Sequence, residues 1–203
     1  YSLRANESPL ARNYVDNLLK ERKKYSIFVA SISVVNRNFH VVSSSEEYEP
    51  GTVSAMKDVD PKYQTGEFII GDVYERITDD GRKNVVPAYT GVYYNNELIG
   101  YVMEELDTAY FDDLRLNMDT LADGTFYLLD GNGAIITAGD TKNKRSLKTF
   151  VSKSSDRNDF QKKWDAIDHE KNPSGYVRYR YHRQDYITYY SDVENTCWGI
   201  RVT

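Results

Sequence analysis

Between Ser8 and Lys24 the apolar residues fall at helical spacing, with Leu10, Tyr14 and Leu18 in one row and Val15 and Leu19 in another. Ser8-Pro9 supplies a cap and a first-turn proline, so the spacing predicts an amphipathic helix at the start of the chain. Period-two alternation then takes over. Ser26 to Val35 and Phe39 to Ser43 read as two strands joined by an Asn36-Arg37-Asn38 turn. A polar stretch from Ser44 to Pro61 follows, with Pro50-Gly51 as a turn marker. Glu67 to Ile70 is a short apolar strand, and Gly71 to Arg76 reads as a loop leading to a turn at Asp79-Asp80-Gly81. Val85 to Tyr93 and Leu98 to Leu106 are the strongest strand signals, and Tyr94-Asn95-Asn96-Glu97 between them suits a tight hairpin. Asp107 can cap a helix running to about Asn117, with Tyr110, Phe111 and Leu114 on its apolar side.

The same plan then returns. Thr125 to Leu129 and Ala134 to Ala138 flank the turn Asp130-Gly131-Asn132-Gly133. A helix is predicted over Asp156 to His169, where Phe160, Trp164 and Ile167 share a face. Tyr176 to Tyr181, Tyr186 to Tyr190 and Trp198 to Val202 supply three closing strands. Repetition of hairpin, helical or irregular middle and antiparallel closing strands points to an α+β chain with two modules. The expected organisation is an N-terminal helix over 1–24, a first module over 25–117 with a connecting helix, and a second module over 118–203.

Composition narrows the function. The 203 residues contain no run of about 18 apolar positions that could cross a bilayer. A net charge of −5, with Lys and Arg scattered among acids, argues against a nucleic-acid footprint. The single cysteine, Cys197, cannot form an intramolecular disulfide. Residue 1 is Tyr rather than Met, which marks the chain as an expected piece of a longer protein. Tyrosines outnumber phenylalanines 18 to 7, and such amphipathic rings suit surfaces and pockets that are apolar at one end and wet at the other.

The order of elements resembles the double Cache (PAS-like) domain, the extracytoplasmic sensor of many bacterial transmembrane signalling proteins. Four segments carry the likeness: Phe126 to Ile136, Gly71-Asp72-Val73-Tyr74, Leu98-Ile99-Gly100-Tyr101-Val102, and Tyr189-Tyr190-Ser191 with Thr196-Cys197-Trp198-Gly199-Ile200. The resemblance implies a ligand pocket in the first, membrane-distal module. It also implies a second module that relays the change through a membrane helix to a histidine kinase, chemotaxis transducer or diguanylate cyclase. A sequence rich in Tyr and Asn and short of Ala is similar in style to clostridial proteins with cyclic-di-GMP output. A homodimer in the full receptor, membrane attachment through flanking helices and no cofactor are the further expectations.

Relatives that bind amino acids carry an Arg-x-Trp-Tyr cluster, a Tyr-x-Asp, and an acid at the end of the fifth strand. Tyr74 falls on the family's Tyr and Glu105 near the last acid, but Arg76 stands where the Asp would be. Asp58 to Gly66 holds neither the Arg nor the Trp. An anionic or differently oriented ligand therefore fits better than a free amino acid. On the functional reading Tyr74, Arg76, Tyr89 and Glu105 converge on one pocket, with Asp72 lining the same loop. On the structural reading Tyr89 is strand packing, Arg76 pairs with a surface acid, Glu105 is solvated and Asp72 ends a strand.

Other chemistry finds little footing. Asp130-x-Asn132-Gly133 starts like a calcium loop, but position twelve is Thr141 rather than Glu, so a turn is expected. His40, His169 and His182 share no zinc-like spacing with one another or with Cys197. Ser43-Ser44-Ser45 lacks a nucleophile elbow and is expected as a polar loop. Asp79-Asp80 and Asp112-Asp113 are adjacent in sequence, which separates their side chains. No catalytic group is assigned, and the alternative to a sensor is a surface protein-interaction module without a small ligand.

Overall fold

The computed structural model describes residues 9–48, 52, 54, 68–78, 81–116, 126–138, 157–181, 183–194 and 196–202. The chain divides into two compact units, Tyr1–Tyr110 and Phe111–Thr203. Each is α+β with one antiparallel sheet. The Ser8 cap, Pro50-Gly51, Asp79-Asp80, His182 and the predicted helix start at Asp156 lie outside the described residues.

The first unit opens with α1 (Pro9–Lys23), which buries Leu19 and leaves the row Leu10, Tyr14 and Leu18 exposed. Polar contacts dock the helix: Asp16 Oδ1 accepts the Ser43 hydroxyl and, at 3.0 Å, the Ser44 N–H. The Arg12 guanidinium lies 5.0 Å from the Tyr48 ring centroid. Two antiparallel strands follow, β1 (Val29–Asn36) and β2 (Val41–Ser44). Asn36 builds the turn between them, because its Oδ1 accepts the N–H groups of Asn38 at 2.9 Å and His40 at 3.1 Å. The serine run corrects the sequence reading. Ser43 and Ser44 end β2 rather than forming a loop, and all three serines are buried. Their hydroxyls are all bonded, that of Ser43 to Asp16 of α1, with Ser33 donating to Ser44 Oγ at 2.9 Å and the Ile32 N–H to Ser45 Oγ at 2.9 Å.

Four more strands complete this sheet: β3 (Phe68–Ile70), β4 (Tyr74–Thr78), β5 (Gly81–Tyr94) and β6 (Glu97–Asp107). The order is β2-β1-β6-β5-β3, with β4 also paired to β5. β5 is longer than the alternation predicts, and β4 replaces the expected loop. Tyr74 and Arg76 on β4 point inward, whereas Glu75 and Ile77 are exposed, so the one apolar residue falls on the outward phase and masks the strand. Pro87 is accommodated where β5 changes partners. β4 pairs as far as Val85, β3 pairs from Ala88, and Pro87 accepts the Gly71 N–H at 2.9 Å between them. A strand residue's N–H and C=O face the same neighbour, so the missing proline N–H falls in this gap.

Asn95 and Asn96 adopt φ of 49° and 61°, the left-handed pair that a two-residue turn needs to match strand twist. Asn96→Ala is expected to destabilise the chain by about 1 kcal/mol, because Ala tolerates this region less well. Urea unfolding checks this, and an unchanged midpoint would remove the turn's role.

Asp107 Oδ1 accepts the Ala109 N–H at 3.0 Å and caps α2 (Ala109–Leu116). In the second unit β7 (Phe126–Leu129) and β8 (Ile135–Ala138) form a hairpin. Asp130 Oδ1 is committed to that turn, accepting from Asn132 at 3.0 Å and Ala134 at 2.7 Å. Next come α3 (Arg157–Asp165), β9 (Ser174–Tyr181), β10 (Gln184–Asp192) and β11 (Gly199–Val202). The helix stops short of His169: the Ile167 N–H bonds the Trp164 carbonyl at 3.0 Å in a tighter turn, and the Asp168 carbonyl then accepts from Asn172 at 2.9 Å and Lys171 at 3.2 Å. Phe160 nevertheless packs with Val177 and Tyr190, flanked by Trp164, Ile167 and Tyr179.

The second sheet runs β8-β7-β11-β10-β9. With each unit's strands counted from its own start and β3 and β4 taken as one, both sheets have the order 2-1-5-4-3. The repeated pattern in the sequence is therefore a repeated topology. At the centre of the second sheet Arg201 is 7% exposed, its guanidinium 4.1 Å from the Trp164 ring centroid and 5.5 Å from that of Tyr190. Burial pulls its pKa down to about 10 against the charges of Asp192 and Tyr190. Gly199 leaves room for it, since a Cβ there would stand 2.7 Å from Nη1. No helix among the described residues is long and apolar enough to cross a membrane.

Candidate functional site

Strand register sorts the first unit's side chains onto one face. Glu105 on β6 sits between Ser31 on β1 and Pro87 on β5, and Met103 sits between Ser33 and Tyr89. Tyr74 pairs with Val85, which places Tyr74 and Arg76 on the same face as Val85, Pro87 and Glu105. The face therefore has two ends. Val35, Val41, Ile69, Tyr89, Tyr101 and Met103 make an apolar cluster at one end. Ser31, Tyr74, Arg76 and Glu105 gather at the other.

Glu105 is the hub of the polar end and is 2% exposed. The Tyr74 hydroxyl donates to its Oε1 and the Ser31 hydroxyl to its Oε2. Arg76 Nη1 contacts Oε2 and also donates to Ser31 Oγ at 3.0 Å. Burial pushes the Glu105 carboxyl up, to about 7; the Ser31 hydrogen bond opposes the rise and the Glu46 charge adds to it. The Arg76 contact also opposes it. Burial lowers the Arg76 pKa, and Glu46 acts the other way. Glu46 pairs with Lys23 of α1 and lines an open cleft of about 480 Å³ together with Asp16, Lys20, Ser44, Glu47 and Tyr48. The cleft brings solvent to a carboxylate whose charge acts on both members of the buried pair.

Of the residues singled out from sequence, Tyr74, Arg76 and Glu105 are brought into direct contact. Arg76 meets a buried acid rather than a surface one, and Glu105 is not solvated. Tyr89 lies on the same face but within the apolar cluster, fully buried. Asp72 is half-buried on the connection from β3 to β4, two residues before Tyr74. Sequence reasoning missed Ser31 and Glu46. The period-two pair Ser31 and Ser33 inside an apolar strand was the available signal for the first, because small polar residues there need inward partners. Nothing local marked Glu46.

No protein-family model and no curated protein matches the chain. Solved structures do match it along nearly its whole length. The ligand-binding domain of the Pseudomonas aeruginosa PAO1 amino acid chemoreceptor PctB, in complex with L-Gln, superposes with a TM-score of 0.59 at 14% identity, covering 98% of this chain and 76% of that one. The sensor domain of the Vibrio cholerae histidine kinase DctB gives 0.57 at 12% identity, covering 98% and 80%. The ligand-binding domain of the Campylobacter jejuni chemoreceptor Tlp3, in complex with 4-methylisoleucine, gives 0.56 at 14% identity, covering 98% and 77%. The fold is thus that of extracellular sensor and ligand-binding domains of histidine kinases and chemoreceptors. Its two α+β units, each with one antiparallel sheet, agree in fold with the two-module Cache arrangement that the sequence resembles.

Proposed function

We propose that this chain is the extracytoplasmic, non-catalytic small-molecule-sensing part of a membrane-anchored signalling protein. The membrane-distal module, 25–117, binds the ligand. The proximal module, 118–203, relays the change through flanking membrane helices, in a homodimer, to a cytoplasmic output such as a diguanylate cyclase, histidine kinase or chemotaxis transducer. The observation that carries this reading is the convergence of Tyr74, Arg76 and Glu105 at one end of a sheet face whose other end is apolar. Binding sites combine apolar walls with a few oriented polar groups in this way. Structures of the same fold with L-Gln or 4-methylisoleucine bound support a small polar ligand. Arg76, in place of an acid, favours a ligand with an anionic group, held by the guanidinium fork. Tyr89 and Asp72 are assigned to the wall and rim.

A thermal-shift screen of amino acids, organic acids, amines and nucleobases tests the proposal. A hit is expected to raise the melting temperature of the wild type. The double variant Tyr74→Ala, Arg76→Ala is expected to lose that shift, and an unchanged shift would overturn the site assignment.

A further inference from the structure

The charges around Glu105 can be followed element by element. From β4 come the Arg76 guanidinium and the Tyr74 hydroxyl, and from β1 the uncharged Ser31 hydroxyl. On β5, Lys83 is engaged by Asp107 of β6 at 3.5 Å. After β2, Glu46 faces the pair and is itself held by Lys23 of α1. Among the described residues Arg76 is therefore the cation in contact with Glu105, and its charge is already balanced.

We infer that the site takes up a carboxylate together with a proton: the ligand's carboxylate captures Arg76, and Glu105 becomes a neutral carboxyl. This rests on the reading of the first unit as a ligand pocket and states how that pocket admits an anion. The balance is one anion from solution, one proton from solution, one Arg76–Glu105 ion pair broken and one Arg76–ligand ion pair formed. Geometry decides which partner is released. The Arg76 side chain is 20% exposed and sits on a short strand that, among the described residues, is paired on one side, so it can turn towards a ligand. Glu105 is buried in the middle of the sheet and cannot follow it to water. Without Arg76 its carboxylate would be buried beside the Glu46 charge with only two neutral hydroxyls to hold the ionised form, and burial and the like charge then favour protonation. Ser31 and Tyr74 suit both states, because a hydroxyl that donates to a carboxylate can turn to accept from a carboxyl. The burial that already raises the Glu105 pKa works in the same direction.

Isothermal titration calorimetry of the 203-residue chain with acetate, lactate and benzoate, from pH 5.5 to 8 in buffer pairs of different ionisation enthalpy, tests this. The expected result is a proton uptake that is small at pH 5.5 and rises to close to one per carboxylate above about pH 7, with a Kd that weakens about tenfold per pH unit over the same alkaline range. Glu105→Gln, a neutral stand-in for the protonated acid, is expected to bind the same anions more tightly and without pH dependence. Binding by the wild type with no proton uptake and a flat pH profile would overturn the inference and leave the pocket standing. Proton-free binding of glycine alone would do the same, since a zwitterion brings its own cation to Glu105. Absence of binding to wild type and Glu105→Gln at every pH would overturn the anion-pocket reading itself. Should Glu105→Gln fail to fold, the wild-type proton count alone decides.

Discussion

Arg76→Met is expected to destabilise the first unit by about 3 kcal/mol at pH 8, because removing one partner of a buried ion pair strands the other charge. At pH 5 the same substitution is expected to cost far less. The sign follows from linkage. Glu105 has a folded-state pKa above its unfolded value, so its contribution is fully present below the ordinary carboxylate range and is lost as pH rises through about 7. Taking away the guanidinium removes the interaction that holds the ionised form and raises the folded pKa further. At pH 5 the variant keeps a neutral Glu105 bonded to Ser31 and Tyr74, and its stability then falls with pH by up to about 1.4 kcal/mol per unit. Urea unfolding at both pH values reads the effect. Equal destabilisation at pH 5 and 8 would mean that Arg76 acts through packing alone. The double variant Arg76→Met, Glu105→Gln is expected to recover most of the stability at pH 8.

The second large effect lies in the other unit. Arg201→Lys is expected to cost about 3 kcal/mol, nearly as much as Arg201→Ala. What the site uses is the plane of the guanidinium, stacked 4.1 Å from the Trp164 centroid with Tyr190 alongside. Its Nη1 also donates to the Ile200 carbonyl at 2.9 Å. An ammonium is compact and strongly hydrated, so it neither covers the indole nor accepts burial on these terms. Urea unfolding followed by tryptophan fluorescence measures the loss. A lysine variant as stable as wild type would show that charge rather than shape matters at this position.

What could be read from sequence, and what could not, divides along physical lines. The hairpin of β5 and β6 was legible because the Asn95-Asn96 pair and the flanking alternation are local signals. Phe160, Trp164 and Ile167 were legible at helical spacing. β4 was not, since its single apolar residue, Ile77, points outward and its inward residues are Tyr74 and Arg76. Backbone pairing to β5 holds it in place, and single-residue pattern does not register pairing. At the site, Tyr74, Arg76 and Glu105 emerged through a family resemblance. Ser31 meets Glu105 across 74 positions of sequence, a neighbourhood created by the β1–β6 register and by nothing near either residue. The serine run was misplaced for a related reason, because burial of Ser43 to Ser45 depends on Asp16, Ile32 and Ser33.

The strand order 2-1-5-4-3 has a mechanical consequence for the first unit. Its first and last strands lie side by side and antiparallel, so the chain enters and leaves at one end of the sheet, with Val29 opposite Leu106 and the Asp107 N–H bonded to the Phe28 carbonyl at 2.7 Å. Phe28 and Tyr110 close that end, with ring centroids 5.3 Å apart. Glu105 stands two residues before Asp107, the residue that caps α2. The buried acid thus stands two residues from the point where the chain leaves the sheet, so any change in its partners acts on backbone directly beside the exit.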